Sequence, residues 1–93
     1  MKTRKAQLHI HSNYTDGLYS VETILKEAKK RKFDIISITD HNEIRGTIRA
    51  FELAKKYDLL VIPGIELYFK IDNRIYDLLV YFKEIENVTS SVG

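Results

Sequence analysis

The 93-residue chain contains no cysteine, and that absence narrows its chemistry first. It excludes disulfides, thiolate zinc sites and a cysteine nucleophile. Any metal must then be held by nitrogen and oxygen donors. An excess of charge is missing too: 15 Lys+Arg stand against 13 Asp+Glu, a net of +2. So near neutrality, nothing argues for nucleic acid or an anionic membrane. Long hydrophobic runs are also lacking; the longest fall far short of the roughly 18 residues a membrane span needs. The basic start, Met1 to Ala6, leads only into a short apolar stretch interrupted by histidines, so it does not read as a signal peptide. What remains is an ordinary globular balance, 44% hydrophobic and 30% charged. The expectation is one soluble, cytoplasmic domain over residues 1–93, with a polar, weakly ordered tail over 83–93. A domain of this size buries only about two thirds of its unfolded surface.

The polar and apolar residues are patterned. Leu8 and Ile10 alternate with His9 and His11, the period of a strand that ends at His11. Ser12 to Gly17 is loop chemistry, closing on Asp16-Gly17. Ser20 then suits a helix N-cap, with Glu22 in the first turn and Val21, Ile24, Leu25 and Ala28 forming one stripe. The basic run Lys29 to Lys32 falls where cations offset the helix dipole, a simpler reading than a nucleic-acid patch. Ile35, Ile36 and Ile38 predict a second, buried strand. A second helix is expected near Glu43 to Lys56, with Ile44, Ile48, Phe51 and Ala54 inward. Leu59 to Ile62 predicts a third strand that resumes after Pro63-Gly64 as Ile65 to Phe69. A turn at Asp72-Asn73 leads to a fourth strand from Ile75 to Phe82. The order β-α-β-α-β-β implies right-handed crossovers and a mainly parallel sheet, an α/β fold.

In such folds ligands bind beyond the carboxyl ends of the strands. The unusual polar residues fall there. His9 and His11 close the first strand, Asp16 lies in its loop, His41 follows the second strand, and Glu66 lies past Pro63-Gly64. All three histidines of the chain are among them. Residues i and i+2 of a strand point to one side, so His9 and His11 can present two imidazoles to one ion. Taken singly, a His-x-His pair is commonly incidental, Asp-Gly a plain turn, and Glu66 a surface strand residue. Their convergence on one predicted sheet edge favours a site for a divalent metal: Zn, Mn or Fe.

The run Leu8-His9-Ile10-His11-Ser12 through Thr15-Asp16-Gly17 resembles the opening motif of the PHP (polymerase and histidinol phosphatase) superfamily. Ile38-Thr39-Asp40-His41-Asn42 resembles its second motif, and Ile62-Pro63-Gly64-Ile65-Glu66 its glycine-glutamate motif. The resemblance covers nearly the whole chain, as the amino-terminal portion of such a domain. It implies a partial, distorted TIM-like (β/α)7 barrel and a centre of up to three divalent metals that hydrolyses phosphate mono- or diesters. On that implication His9 and His11 hold the first metal, Glu66 bridges the first and second, and Asp16 and His41 serve a third. Asp40 is expected to orient a histidine from the second shell.

Two departures stand out. Asp77 occupies the place of a family histidine in Asp77-Leu78-Leu79-Val80-Tyr81-Phe82. It is either a substitute oxygen ligand or a strand residue with no such role. The family's later ligands, a His or Cys and an Asp-x-His, have no counterpart. Self-association or pairing with a carboxyl-terminal half is therefore expected, and so is the alternative of a non-catalytic module with an incomplete ligand set. The substrates implied by the resemblance are phosphate-ester small molecules, nucleotides or oligonucleotides. A weaker alternative is nucleic-acid binding through Lys29 to Lys32 with Lys2, Arg4 and Lys5.

Overall fold

The computed structural model describes residues 4–83. The weakly ordered tail expected over 83–93 lies outside these residues beyond Lys83. Seven elements follow in order: β1 Ala6–Ile10, α1 Val21–Lys30, β2 Ile35–Ile38, α2 Arg45–Tyr57, β3 Leu60–Val61, β4 Gly64–Ile71 and β5 Arg74–Tyr81.

β1, β2 and β3 form a parallel sheet in that order, each joined to the next through a helix. Ile36 and Ile38 of β2 project from one face and are fully buried with Leu25 of α1 and Ala50 of α2. Alternation sends Ser37 and Thr39 to the opposite face, where a side chain on Gly64 would meet both. Chain that leaves β3 bends at Ile62-Pro63 and continues as β4, so that Glu66 bridges to His41 in parallel register. β4 then pairs antiparallel with β5 along its full length, from Gly64 opposite Tyr81 to Ile71 opposite Arg74. Asp72 and Asn73 make the turn with φ of 47° and 67°, the left-handed region these two residues tolerate best after glycine. The parallel sheet is real, but the hairpin strands are longer than any of its members. A closed (β/α)7 barrel is more than the described residues contain.

α1 starts as its sequence dictates: the Ser20 hydroxyl accepts from the Thr23 backbone N–H at 3.2 Å. Val21, Leu25 and Ala28 are its buried stripe, with Ile24 partly covered. Its basic end is engaged by neighbours, Lys29 with Asp58 at 3.6 Å and Arg31 with Glu27 at 2.9 Å. α2 departs from expectation. It begins at Arg45, and its buried residues are Gly46, Thr47, Ala50 and Leu53, whereas Phe51 is 44% exposed. The reason is close approach: a Cβ on Gly46 would stand 2.2 Å from Asp40 Oδ2 and 3.0 Å from Ile38 Cγ2. The helix therefore docks at its start through small residues, while Leu53 and the partly buried Ala54 and Tyr57 pack against the core further along. Glu22 ties the two helices together, accepting from Lys56 Nζ at 2.7 Å and from the Tyr57 hydroxyl at 2.6 Å. No helix among the described residues is long and apolar enough to cross a membrane.

Candidate metal centre

Each element that ends at the carboxyl edge of the sheet delivers one or two polar side chains. β1 carries His9 and runs directly into His11, and its register against β2 slips by one residue between Gln7 and Ile10. An extra residue in one strand re-aims the side chains around it, which is common beside functional sites. The Tyr81 hydroxyl donates to the Leu8 carbonyl at 2.5 Å within that slip, so β5 reaches back to β1. Past β1 the chain folds tightly on itself. The Gly17 N–H donates to the Ser12 carbonyl at 2.9 Å, and a Cβ on Gly17 would lie 2.1 Å from the His11 carbonyl oxygen. Only glycine fits there, and the tight loop returns Asp16 to His11.

The five residues singled out by sequence meet around two carboxylates. Glu66 is buried, and its Oε1 lies 3.2 Å from His9 Nε2, 2.7 Å from His11 Nε2 and 3.4 Å from His41 Nδ1. Asp16 is more open; its Oδ1 lies 2.9 Å from His11 Nδ1 and its Oδ2 3.3 Å from His41 Nε2. The rings of His11 and His41 stand 4.3 Å apart between centroids. Burial is the largest influence on the Glu66 carboxyl and pushes it up, but hydrogen bonds with His9 and His11 and the electrostatic pull of His9 and His41 together hold the group below its ordinary value. For Asp16, desolvation raises the value while His11, its own backbone and His41 together bring it below normal.

This arrangement calls for positive charge. A neutral imidazole has a single N–H, so it donates once and exposes a lone pair at the other nitrogen. Both nitrogens of His11 and both of His41 face carboxylate oxygens. In the neutral state each ring turns one lone pair toward an anion. His41 Nδ1 is buried and makes no hydrogen bond. A divalent cation among these atoms relieves all of these contacts at once, and nitrogen with carboxylate oxygen is a donor set that Zn, Mn and Fe accept. Two donor groups lie within 4.8 Å internally: His9, His11 and Glu66, and His11, Asp16 and His41. His11 belongs to both.

Two expected roles differ. Asp40 is fully buried, yet its carboxylate turns to the loop and not to a histidine. Oδ1 accepts from the Ser12 N–H at 2.6 Å and the Thr15 hydroxyl at 2.9 Å, and Oδ2 accepts from the Ser12 hydroxyl at 2.6 Å. It anchors the loop that carries Asp16, because that loop has backbone and hydroxyl donors to satisfy and Asp40 is the buried acceptor beside them. Asp77 sits opposite Tyr68 in the hairpin, exposed, and joins neither donor group. Sequence reasoning missed Ser12, Thr15, Asn42 and Tyr81 as supports. All four lie inside the motif-like runs, but those runs do not show which atoms they meet.

The fold and donor set define a candidate metal-binding cluster of histidines and carboxylates at the carboxyl edge of a parallel α/β sheet. The PHP domain family matches residues 7–93, and the chain belongs to that family. An uncharacterized protein of Methanocaldococcus jannaschii is 36% identical over 68% of this chain and 43% of its own length. The DNA polymerase III alpha subunit of Borreliella burgdorferi is 38% identical over 72% of this chain, which spans 6% of that subunit. Among solved structures, a two-domain protein from Bacteroides vulgatus contains a predicted PHP-like metal-dependent phosphoesterase. It superposes with a TM-score of 0.68 at 25% identity, covering 82% of this chain and 26% of its own. The chain thus spans less than half the length of each of these relatives.

Proposed function

We propose that this chain supplies one side of a divalent-metal centre that hydrolyses phosphate mono- or diesters. The observation that carries the reading is Glu66 Oε1, which has nitrogens of three histidines within 3.4 Å. His9, His11 and Glu66 would hold one ion, and Asp16 and His41, with His11 beside them, would hold a further one. When bound, such metals activate water and neutralise charge on phosphoryl oxygens. The residues here bind and orient. Asp40 fixes the loop that brings Asp16 into place, and burial keeps Glu66 aimed at the rings. No side-chain nucleophile is required, in keeping with the absence of cysteine. The polymerase and phosphoesterase relatives support a nucleotide, oligonucleotide or small phosphate ester as substrate, and pairing with a carboxyl-terminal half as the route to a complete site.

Activity toward phosphate esters with Mn²⁺ or Zn²⁺ tests this, set against Glu66→Gln and the pair His9→Ala and His11→Ala. Loss of hydrolysis and of bound metal in all three is expected; unchanged turnover removes the proposal. A second reading, a module that binds metal without turnover, is favoured by the exposed position of Asp77 outside both donor groups. Metal content per chain separates the two: bound ion with no hydrolysis of any ester supports the second.

A further inference from the structure

Asn42 follows the candidate ligand His41, and it has no role in the donor set. Its backbone is left-handed, with φ of 47°, a conformation that asparagine adopts more readily than most residues. This twist turns the chain away from the sheet toward α2 after a single bridge, His41 to Glu66. Pairing with β4 would stop there, but the side chain carries it on. The Asn42 backbone N–H donates to the Glu66 carbonyl at 2.9 Å, and the Glu66 N–H donates to the Asp40 carbonyl at 3.0 Å. One residue pair further along, the Asn42 carboxamide takes over. Nδ2 donates to the Tyr68 carbonyl at 3.0 Å, and Oδ1 accepts from the Tyr68 N–H at 2.9 Å.

A carboxamide presents an N–H donor and a carbonyl acceptor side by side, as the backbone N–H and C=O of one strand residue do in a hydrogen-bonded pair. Here it stands in for the strand residue that the departing chain no longer offers. Its effect is on β4 either side of Leu67. Glu66 is fixed by main-chain bonds to residues 40 and 42, and Tyr68 by both atoms of one side chain. The other edge of β4 is held by β5. The strand that aims Glu66 at three imidazoles is therefore clamped on both edges. Without the carboxamide, the edge beyond Glu66 is free on the side that faces His41, whose ring also meets Tyr68 at 5.8 Å.

We propose that Asn42 is a positioning residue: its side chain extends the sheet by one residue pair and thereby sets Glu66 and His41 at metal-binding separation. This rests on the metal reading given above. Groups behind metal ligands typically change metal affinity by about 10- to 100-fold when removed. Asn42→Gly is the informative substitution, since glycine keeps the left-handed backbone and removes only the carboxamide. Ile36→Val serves as the control. It trims the core under β2 by a methyl group, touches neither the clamp nor the donors, and lowers stability by an amount of the same order.

Mn²⁺ titration of the full chain by calorimetry, with denaturant unfolding of the metal-free forms in parallel, decides the matter. The expected result is an affinity lowered about tenfold or more in Asn42→Gly and unchanged in Ile36→Val. Affinity within twofold of the unsubstituted chain in Asn42→Gly overturns the inference. So does an equal loss in both variants, which would make the clamp merely a source of stability. If the unsubstituted chain takes up no Mn²⁺ or Zn²⁺ at all, the metal reading itself fails and takes this inference with it.

Discussion

The two halves of the described molecule are built to different standards. From β1 through β3, helices and sheet enclose a continuous core in which Leu25, Ile36, Ile38 and Ala50 have no exposed surface. In the hairpin of β4 and β5, every residue from Tyr68 to Leu79 is exposed, Ile71, Ile75 and Leu78 by more than half. The donor cluster lies at the seam, with four members from the enclosed part and Glu66 from the first, still buried turn of β4. The difference shows where the precision resides. Glu66 belongs to the enclosed half by burial although it sits on a hairpin strand.

The sharpest test of the contrast is to cut equal side chains from both parts. Leu25→Ala should cost about 2–5 kcal/mol in urea unfolding, since it opens a cavity in a closed core. Leu78→Ala should change stability by no more than about 0.5 kcal/mol. Equal losses would mean that the hairpin is packed in solution. A smaller effect is expected from a residue that a rule of thumb would call beneficial. Replacing glycine by alanine inside a helix normally stabilises, by roughly 0.5–1 kcal/mol. Gly46→Ala should instead destabilise by about 1–3 kcal/mol through crowding against Asp40, read from the same unfolding curves.

The smallest effect is a matter of pH, and it belongs to the enclosed half alone. Hydrogen bonds first from Lys56 and then from Tyr57 bring the Glu22 carboxyl down to about 2. A lowered folded value means that the ionised form is the stabilising one. Its contribution is complete above the ordinary value of 4.5 and fades as pH falls from there toward about 2. The pair is exposed enough to be screened by salt, so the change is slight. Unfolding midpoints of Glu22→Gln should lie below those of the parent near neutrality and merge with them at the acid end. A constant gap across that range would place the stabilisation elsewhere.

How far these features could be read in advance depends on their range. His9, His11, Asp16, His41 and Glu66 were legible as one cluster because the carboxyl edge of a parallel sheet gathers whatever polar residues end its strands. The α1 stripe and its Ser20 cap were legible because both are local. The inward face of α2 was legible only in part: Ala54 packs against the core as expected, but periodicity favours large apolar residues, and Gly46 and Ala50 face inward through close approach to β2. Asp40 and Asn42 stand in one motif, yet their partners are loop and strand atoms far along the chain, and no spacing announces them. The register slip in β1 and the reach of Tyr81 to Leu8 are likewise tertiary facts.

The link between His9 and Glu66, 57 residues apart, also has a place in time. At a synthesis rate of about 5–20 residues per second, Glu66 is made roughly 3 to 11 seconds after His9. Until then His9 and His11 have no carboxylate from β4 to face, although both helices and the two core isoleucines of β2, Ile36 and Ile38, have already been produced. A growing chain therefore acquires its interior before its chemistry, and an ion captured early would find only Asp16 and the rings.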